Sequence, residues 1–323
     1  MNDLPKKIHI KEEGPREGFQ YEKGHIPTER KVALIDALSR TGVKHMQIVS
    51  FVSPKAVPGM ADAEQVVKGM RPEPGVAYAG LWFNQQGLER AISTGRLDIK
   101  GSISASASDK FLQKNLNRTP EEQVAVTRSM LDLYKQKGIP VERATIMAAF
   151  GCNFEGDVRP ARVVEIIGQI LALVADRGVE LECVSLADTM GWATPMSVKR
   201  TVGEVRSRFP DLAIELHLHD TRGMGIANAY AGMEMGVTRF DASVAGLGGC
   251  PFAGNAGAAG NVCTEDLVFL CDELGIETGI DLEALIECAR LAEDVVGHPL
   301  PGSVMKGGSL RTLRKRIGAA ASA

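Results

Sequence analysis

Short runs of β-forming residues alternate along the chain with longer segments whose apolar residues recur at helical spacing. The pattern predicts strands at residues 7–12, 45–51, 76–83, 97–104, 142–149, 181–188, 213–220 and 239–245. It predicts helices between them at residues 28–40, 120–138, 160–178, 194–209 and 223–236. The segment 120–138 opens with Pro120 and two glutamates and closes on Lys137 and Gly138, as helices typically begin and end.

Eight strand–helix units favour a parallel sheet with helical crossovers, and eight such units close a (β/α)8 TIM barrel. The chain of 323 residues is long enough for one such barrel. An open, doubly wound sheet is the alternative, but that fold usually carries a GxGxxG loop after its first strand, and here the sequence is EEGPREG. We therefore expect an α/β fold, with a single barrel domain over 1–300, extra C-terminal helices, and a C-terminal tail over 301–323, of which 309–323 is a frayed helix or disordered.

Composition narrows the range of partners and compartments. The formal net charge of −3 gives no indication of a nucleic-acid or membrane-surface partner. No apolar run approaches the roughly 20 residues that span a bilayer, and the N-terminal MNDLPKKIHIKEEG lacks the apolar region of a signal peptide. The six cysteines include no CxxC pair, which favours a reduced, cytoplasmic protein.

The chemistry of such a barrel lies at the carboxyl ends of its strands. The polar residues predicted at those ends are Glu13, Arg16, Glu17, Gln20, Gln47, Ser50, Ser102, Ser104, Ser106, Asp188, Thr189, His217, His219, Asp220 and Thr221. His217 and His219 are two residues apart in a strand, so their side chains point the same way. On this pattern alone, a metal site and a pair of hydrogen-bonded core histidines both remain open.

A carboxylate from Glu17 and an amide oxygen from Asn261 would complete a mixed nitrogen and oxygen ligand set with the two histidines. That set suits Mg²⁺ or Mn²⁺ better than a closed thiolate zinc site, although Zn²⁺ or Co²⁺ would also bind such ligands. Asp220 points the opposite way to His219, which favours a supporting or helix-capping role.

The glycine-rich segment 246–261 is either a passive surface loop or a mobile lid, since a lid needs backbone freedom. Cys250, with a proline and a phenylalanine after it, is unusual for a passive linker. A buried inert thiol is the simpler reading of Cys250, but beside a cationic site its pKa would fall and it could handle a proton.

Six stretches of the chain resemble the 3-hydroxy-3-methylglutaryl-CoA lyase family. They are EEGPREGFQYEK, SFVSPKAVPGM, FGCNFEG, SLADTMGWATP, HLHDTRGMGIANA and SVAGLGGCPFA, and the resemblance covers roughly residues 8–300. SVAGLGGCP is specific to the lyases, whereas HxH alone marks a broader group of barrel metallo-lyases that includes the isopropylmalate and homocitrate synthases.

The resemblance implies a role for each matching residue. It implies a divalent metal held by Glu17, His217, His219 and Asn261. It implies that Arg16 polarises the thioester carbonyl, that Asp188 and Cys250 are catalytic, and that Lys23 lies near coenzyme A. It also implies an acyl-CoA substrate and a homodimer.

Three positions depart from the family pattern. Glu17 stands where the lyases usually have aspartate, a change shared with the homocitrate synthases, so we expect the metal site to survive. Gln47 stands where the family has a glutamate beside the arginine, and a glutamine cannot exchange a proton at neutral pH. Arg222 stands where the lyases usually have an aromatic residue, and an added cation at the pocket edge could bind a different carboxylate or acyl tail.

The predicted reaction is retro-Claisen cleavage of a 3-hydroxy-3-methylglutaryl-CoA-like thioester to acetyl-CoA and a 3-keto acid such as acetoacetate. Asp188 is the favoured base, because the lone pair of a metal-bound histidine is already used. The alternatives are a lyase for citramalyl-CoA or a longer-branched glutaryl-CoA, a Claisen-type condensing enzyme, a metallohydrolase, and an inactive barrel that binds acyl-CoA or metal. A hydrolase is disfavoured because its HxH typically follows the first strand.

Overall fold

The computed structural model describes residues 4–22, 24–249 and 259–321. Within these ranges, eight parallel strands form one sheet. They are β1 (His9–Glu12), β2 (His45–Ser50), β3 (Ala77–Leu81), β4 (Gly101–Ser106), β5 (Val141–Met147), β6 (Leu181–Ala187), β7 (Ile214–His217) and β8 (Arg239–Ala242). Their order in the sheet is β3-β2-β1-β8-β7-β6-β5-β4, so neighbouring strands are nearly all consecutive in the chain and β8 pairs with β1.

The two strands at the ends of this order, β3 and β4, approach each other through Asp98. Its backbone N–H donates to the carbonyl of Tyr78 at 2.8 Å, and its carboxylate accepts from the N–H of Tyr78 at 2.8 Å. The sheet therefore curls round until its first and last strands meet, and the predicted (β/α)8 barrel is confirmed.

Helices cross between the strands and cover the outside of the sheet. In chain order they are Phe19–Tyr21, Thr28–Leu38, Ala63–Gly69, Gln85–Ser93, Asp109–Leu116, Pro120–Lys137, Pro160–Ala175, Pro195–Arg208, Gly225–Glu234, Thr264–Leu274, Leu282–Val296, Val304–Gly307 and Leu310–Ala321. Short 3-10 turns form at Pro58–Met60 and Val244–Gly246. The predicted helices are confirmed to within a few residues at each end.

The helix Pro120–Lys137 shows how the sequence fixes these ends. The Thr119 side chain accepts from the Glu122 N–H at 3.3 Å, and the Glu122 carboxylate accepts from the Thr119 N–H at 2.8 Å. At the other end Gly138 has φ 65°, a left-handed conformation that glycine adopts without strain. These local signals explain why this helix could be predicted from sequence alone.

One aromatic contact joins the helical layer to the barrel interior. The indole N–H of Trp82 donates to the Tyr134 hydroxyl at 2.8 Å, and that hydroxyl donates to the carbonyl of Ser102 at 3.1 Å. A Cβ at Gly101 would lie 2.8 Å from the Tyr134 ring, so only glycine lets the ring pack this closely against β4. The contact forms one wall of the cavity described below.

Two features of the structure differ from the sequence prediction. Strand β4 begins at Gly101 rather than 97, because the preceding residues turn towards β3 through Asp98. A short antiparallel hairpin, Gly151–Cys152 with Gly156–Asp157, was not predicted.

Of the two structures predicted for the tail, a frayed helix or disorder, the protein has a helix, Leu310–Ala321. It is attached by Thr312, whose hydroxyl donates to Glu283 at 2.7 Å, and by the Arg314–Glu273 ion pair at 2.8 Å. None of the helices in the described part of the chain is long and apolar enough to cross a bilayer.

Candidate active site at the barrel mouth

A cavity of about 1000 Å³ opens at the carboxyl ends of the strands. Glu13, Arg16, Glu17, His217 and His219 line one side of it. The wall towards β3, β4, β5 and the helix Pro120–Lys137 includes the apolar residues Leu81, Trp82, Ile103, Met130 and Met147. The cavity thus joins a charged region to an apolar one, as ligand sites commonly do.

The turn after β1 brings Arg16 and Glu17 to the mouth. Residues Gly14–Gly18 form one turn of π-helix, a conformation frequent at functional sites. The backbone N–H groups of Arg16 and Glu17 both donate to the Glu13 carbonyl, at 3.1 and 2.8 Å. A Cβ at Gly14 would lie 2.6 Å from the Glu12 carboxylate, so this tight turn requires glycine there.

Glu17, His217 and His219 bring three ligand atoms within 4.8 Å of one another. The two imidazole Nε2 atoms are 3.2 Å apart. The Glu17 carboxylate lies 3.8 Å from His217 Nε2 and 3.5 Å from His219 Nε2. Two facing imidazole nitrogens beside a carboxylate fit a divalent cation, because neutral imidazoles offer lone pairs and the carboxylate offers charge. The predicted convergence of these three residues is confirmed.

Asn261 lies next to His219 and close to Glu17. It forms an antiparallel bridge with His219, and its side-chain N–H donates to the Leu247 carbonyl at 3.1 Å. A Cβ at Gly248 would lie 2.8 Å from the Asn261 amide nitrogen and 2.9 Å from Glu17 Cγ, so the two side chains share this small space. The amide oxygen is the atom of Asn261 that suits a cation.

A buried charge network lies beneath these ligands. The Arg143 guanidinium donates to Glu215 at 2.6 Å, to Asp241 at 2.8 Å and to Glu13 at 2.8 Å. Asp241 also lies 3.0 Å from His217 Nδ1. A carboxylate in this position fixes the imidazole ring and leaves Nε2 directed at the cavity, as carboxylates behind metal-binding histidines commonly do.

Burial and neighbouring charges set the ionisation of this network. Burial opposes the charge of Glu13, but Arg16 and Arg143 outweigh it and lower its pKa to about 2. Burial likewise opposes the charge of Glu17, yet Arg16 and His217 hold its pKa well below the ordinary value. Burial alone would lower the pKa of His217, but Glu17 and Asp241 raise it to about 9. A cation at the site would replace the proton of this imidazole.

Glu13, His217 and Asp241 form a second group of donor atoms within 4.8 Å. Glu13 and Asp241 are both ion-paired with Arg143, and Glu13 also accepts from Arg16. Two guanidinium groups already neutralise these carboxylates and would repel a cation. We therefore interpret this second group as an ion-pair network rather than a metal site.

Asp188 follows β6, and its backbone N–H donates to the His217 carbonyl at 2.8 Å. One carboxylate oxygen accepts from the N–H groups of Trp192 at 2.7 Å and Ala193 at 2.9 Å. The other is buried and has no hydrogen-bond partner among the described residues, and burial raises the pKa of this carboxyl. Its chain neighbours Ala187 and Thr189 line the cavity, so Asp188 lies at the edge of the cavity.

Gln47 and Arg222 are two of the three positions at which the sequence departs from the pattern of the resembling family, and the structure gives them different roles. Gln47 is buried and its amide oxygen accepts from Arg16 Nε. Arg222 is exposed, donates through Nη1 to the carbonyls of Met190 and Gly191 at 3.0 and 2.8 Å, and is not among the described residues that line the cavity. The prediction that Arg222 adds a cation to the pocket edge is therefore wrong, because the side chain fastens the turn after β6.

Asp220 was predicted to have a supporting or helix-capping role. The Asp220 carboxylate accepts from the N–H of Gly225, the first residue of the helix Gly225–Glu234, at 2.6 Å, although the N-cap position of this helix is Met224. Lys23 and Cys250 lie outside the described residues, as does most of the predicted lid 246–261.

Sequence reasoning missed Arg143, Glu215 and Asp241. One signal was present: Glu215 precedes His217 by two residues, so alternation places both side chains on one face of the strand.

The HMGL-like family model matches residues 7–292. The chain belongs to the HMGL-like family. A hydroxymethylglutaryl-CoA lyase of Bacillus subtilis is 39% identical over 297 residues, which cover 92% of this chain and 96% of the relative.

Two solved structures of HMG-CoA lyases share the fold and about the same sequence identity. The enzyme from Pseudomonas aeruginosa superposes with a TM-score of 0.87 at 37% identity, covering 95% of this chain and 98% of its own. The enzyme from Acinetobacter baumannii, in complex with coenzyme A and 3-methylmalate, gives a TM-score of 0.83 at 37% identity, covering 96% and 97%. Membership of the HMGL-like family therefore rests on both sequence and fold.

Proposed function

We propose that this protein is a metal-dependent carbon–carbon lyase that cleaves 3-hydroxy-3-methylglutaryl-CoA to acetyl-CoA and acetoacetate. The observation that carries the proposal is the convergence of Arg16 with Glu17, His217 and His219 at the mouth of the barrel in a member of this family. A cationic side chain beside a cation-binding set suits a reaction in which negative charge develops on a thioester oxygen.

We propose Glu17, His217, His219 and Asn261 as the ligands of a divalent cation. Mixed nitrogen and oxygen donors favour Mg²⁺ or Mn²⁺, and Zn²⁺ or Co²⁺ also accept such ligands. When bound, a divalent cation would supply Lewis-acid polarisation of the substrate's tertiary hydroxyl and carboxylate.

Asp188 and Cys250 transfer protons in the reaction, and Arg16 stabilises the charge that develops. Asp188 takes the proton of the tertiary hydroxyl, which its unpartnered buried oxygen and raised pKa support. The bond between the second and third carbons breaks, so that a keto group forms on one product and an enolate on the other. Cys250 protonates the enolate carbon and releases acetyl-CoA, a role that rests on the family resemblance. General acid–base help of this kind contributes roughly 10²–10⁴-fold to the rate.

Arg16 stabilises the enolate. Its guanidinium lines the cavity and is mostly buried, so its charge acts where little water screens it. A preorganised donor aimed at a developing oxyanion contributes about 3–4 kcal/mol.

Further features of the proposal concern the rest of the chain. We propose that 1–300 work as one catalytic domain, with 246–261 as its lid and 301–323 outside it, and that Lys23 contacts coenzyme A. We also propose a homodimer, which sedimentation would test. A cytoplasmic location agrees with five cysteines that are unpaired among the described residues.

The direct test is incubation of the Mn²⁺- or Mg²⁺-loaded protein with 3-hydroxy-3-methylglutaryl-CoA and mass spectrometry of the products. We expect acetyl-CoA and acetoacetate in equal amounts, and loss of turnover after chelation. Absence of cleavage for every thioester in a panel of related substrates would reject the lyase function and leave an inactive binding barrel.

Cys250→Ser separates the acid role from the metal role. We expect kcat to fall by roughly 10²-fold or more while Mn²⁺ affinity is unchanged, since a hydroxyl is a far weaker acid than a thiol. Cys288→Ala, in the helix Leu282–Val296, is the matched control and should keep its turnover. Full turnover of Cys250→Ser would remove the loop acid from the mechanism.

A lyase for a thioester with a larger substituent on the third carbon is the second candidate. The apolar wall formed by Trp82, Ile103 and Met130 favours it, because it offers more apolar surface than a methyl group covers. Comparing kcat/KM for 3-methyl and longer 3-alkyl substrates decides between the two. A higher value for the longer substituent would favour this alternative.

A further inference from the structure

The guanidinium of Arg16 is held by three side chains at once. Its Nε donates to the Gln47 amide oxygen, its Nη2 donates to the Glu13 carboxylate, and its Nη1 lies 3.1 Å from the Glu17 carboxylate. These three partners come from β2, from the end of β1 and from the π-helical turn. Each of the three guanidinium nitrogens of Arg16 therefore contacts a residue from a different part of the barrel mouth.

The three partners do not contribute equally. Gln47 is neutral, so it orients Nε without balancing the charge. Glu17 is also within 4 Å of both histidine Nε2 atoms, so its carboxylate serves the proposed cation. Glu13 is the partner that brings a full negative charge to Arg16 and lies outside the proposed ligand set.

Glu13 is itself rigidly placed. Its other carboxylate oxygen accepts from Arg143 Nη2 at 2.8 Å, and its side chain is 1% exposed. Arg143 is in turn anchored by Glu215 and Asp241. A carboxylate fixed between two guanidinium groups loses little further conformational entropy when it orients one of them.

We propose that Glu13 is the positioning residue for Arg16, and that it supplies, from just beyond the end of β1, a negative charge that the neutral amide of Gln47 does not bring. The proposal rests on the proposed function, because Arg16 acts on the enolate of the cleaved thioester. Glu13 then both orients the guanidinium of Arg16 and balances its charge.

The test compares Glu13→Gln with the double variant Glu13→Gln/Gln47→Glu. Loss of a buried hydrogen bond to a charged group should lower kcat by about 10- to 100-fold in Glu13→Gln. KM should change little, because Arg16 acts mainly in the transition state. In the double variant a carboxylate again faces Arg16, and most of the lost kcat should return.

Glu215→Gln is the matched control. It removes one carboxylate from the same buried network, but the guanidinium that Glu215 contacts is that of Arg143. A positioning role predicts a clearly smaller loss of kcat for Glu215→Gln than for Glu13→Gln. Equal losses in the two variants, or no recovery in the double variant, would overturn the proposal in favour of a general effect of the charge network.

Two further measurements keep the test decisive. Glu13→Asp retains the charge but shortens the side chain, so it should fold even if Glu13→Gln does not, and its kcat should fall without a matching loss of thermal stability.

The ¹⁵Nε NMR signal of Arg16, assigned with Arg16→Lys, should show a restrained side chain in the wild type and a mobile one in Glu13→Asp. This signal does not depend on turnover, so an inactive wild type would reject the lyase function while an unchanged signal would reject the role of Glu13.

Discussion

Glu12 and Glu13 are consecutive in the sequence, yet the fold gives their carboxyl groups opposite properties. Glu13 faces two arginines inside the barrel mouth, and although burial opposes its charge, these cations lower its pKa to about 2. Glu12 is completely buried on the other side of the chain, where it accepts from the N–H groups of Gly14 and Val244 and from the Thr264 hydroxyl. Burial raises its pKa to about 7 despite these three hydrogen bonds.

The same contrast extends to the neighbours of each residue. Glu17, beside Glu13, is kept ionised by Arg16, in spite of burial. Glu265, on the side of Glu12, holds the N–H of Ala245 at 2.9 Å, and burial raises its pKa to about 8. The inner group consists of Glu13 and Glu17 with Arg16 and Arg143, and it is a charged network at the candidate active site. The outer group is a set of buried acids with raised pKa values, and its hydrogen bonds tie together the loops after β1 and β8.

The largest expected effect on activity comes from removing a proposed metal ligand next to the inner group. His217→Ala removes a proposed ligand, and we expect kcat/KM to fall by roughly 10³-fold or more, because metal assistance contributes several kcal/mol to the barrier. Mn²⁺ affinity, followed by electron paramagnetic resonance, should fall in parallel. His45→Ala, at the exposed first position of β2, is the control and should retain both. A His217→Ala variant that binds Mn²⁺ as well as the wild type would contradict the ligand assignment.

The next effect concerns the stability of the inner group. Arg143→Met leaves Glu13, Glu215 and Asp241 buried without their shared cation, and we expect the free energy of unfolding to fall by about 3–5 kcal/mol. Urea denaturation measures it. Arg162→Met is the matched control, since its ion pair with Glu165 is exposed and should contribute less than about 1 kcal/mol. Equal changes in the two variants would mean that the buried network does not support the fold.

The smallest effect tests the outer group through pH. The folded-state pKa of Glu12 is raised above its ordinary value of 4.5 to about 7. Its contribution to stability is therefore fully present below about pH 4.5 and is lost as the pH rises through about 7, a change of roughly 3 kcal/mol at most. Glu12→Gln mimics the protonated acid, because its amide can accept from the two N–H groups and donate to Thr264.

We therefore expect denaturation curves of Glu12→Gln to depend less on pH between about 4.5 and 7 than those of the wild type. Glu287→Gln, on an exposed face of the helix Leu282–Val296, should leave the dependence unchanged. Identical pH dependence in the wild type and Glu12→Gln would show that Glu12 is ionised in the folded protein at all these pH values.

The contrast also shows which parts of the molecule a sequence reveals. The alternation of strands and helices, the capping of the helix Pro120–Lys137 and the common face of His217 and His219 depend on residues close together in the chain, and all could be predicted. The network of Arg143 could not, because its partners Glu215, Asp241 and Glu13 lie 72, 98 and 130 positions away. The role of Arg222 was mistaken for the same reason, since the carbonyl groups to which it donates belong to the turn after β6, far from Arg222 in the sequence.

The most direct test of the central claim is the fate of the acetyl group when the metal-loaded protein acts on 3-hydroxy-3-methylglutaryl-CoA in D₂O. Retro-Claisen cleavage with protonation of an enolate carbon predicts acetyl-CoA that carries a single deuterium in its methyl group, together with an equal amount of acetoacetate. Release of free coenzyme A with intact 3-hydroxy-3-methylglutarate, or acetyl-CoA without deuterium, would contradict the mechanism.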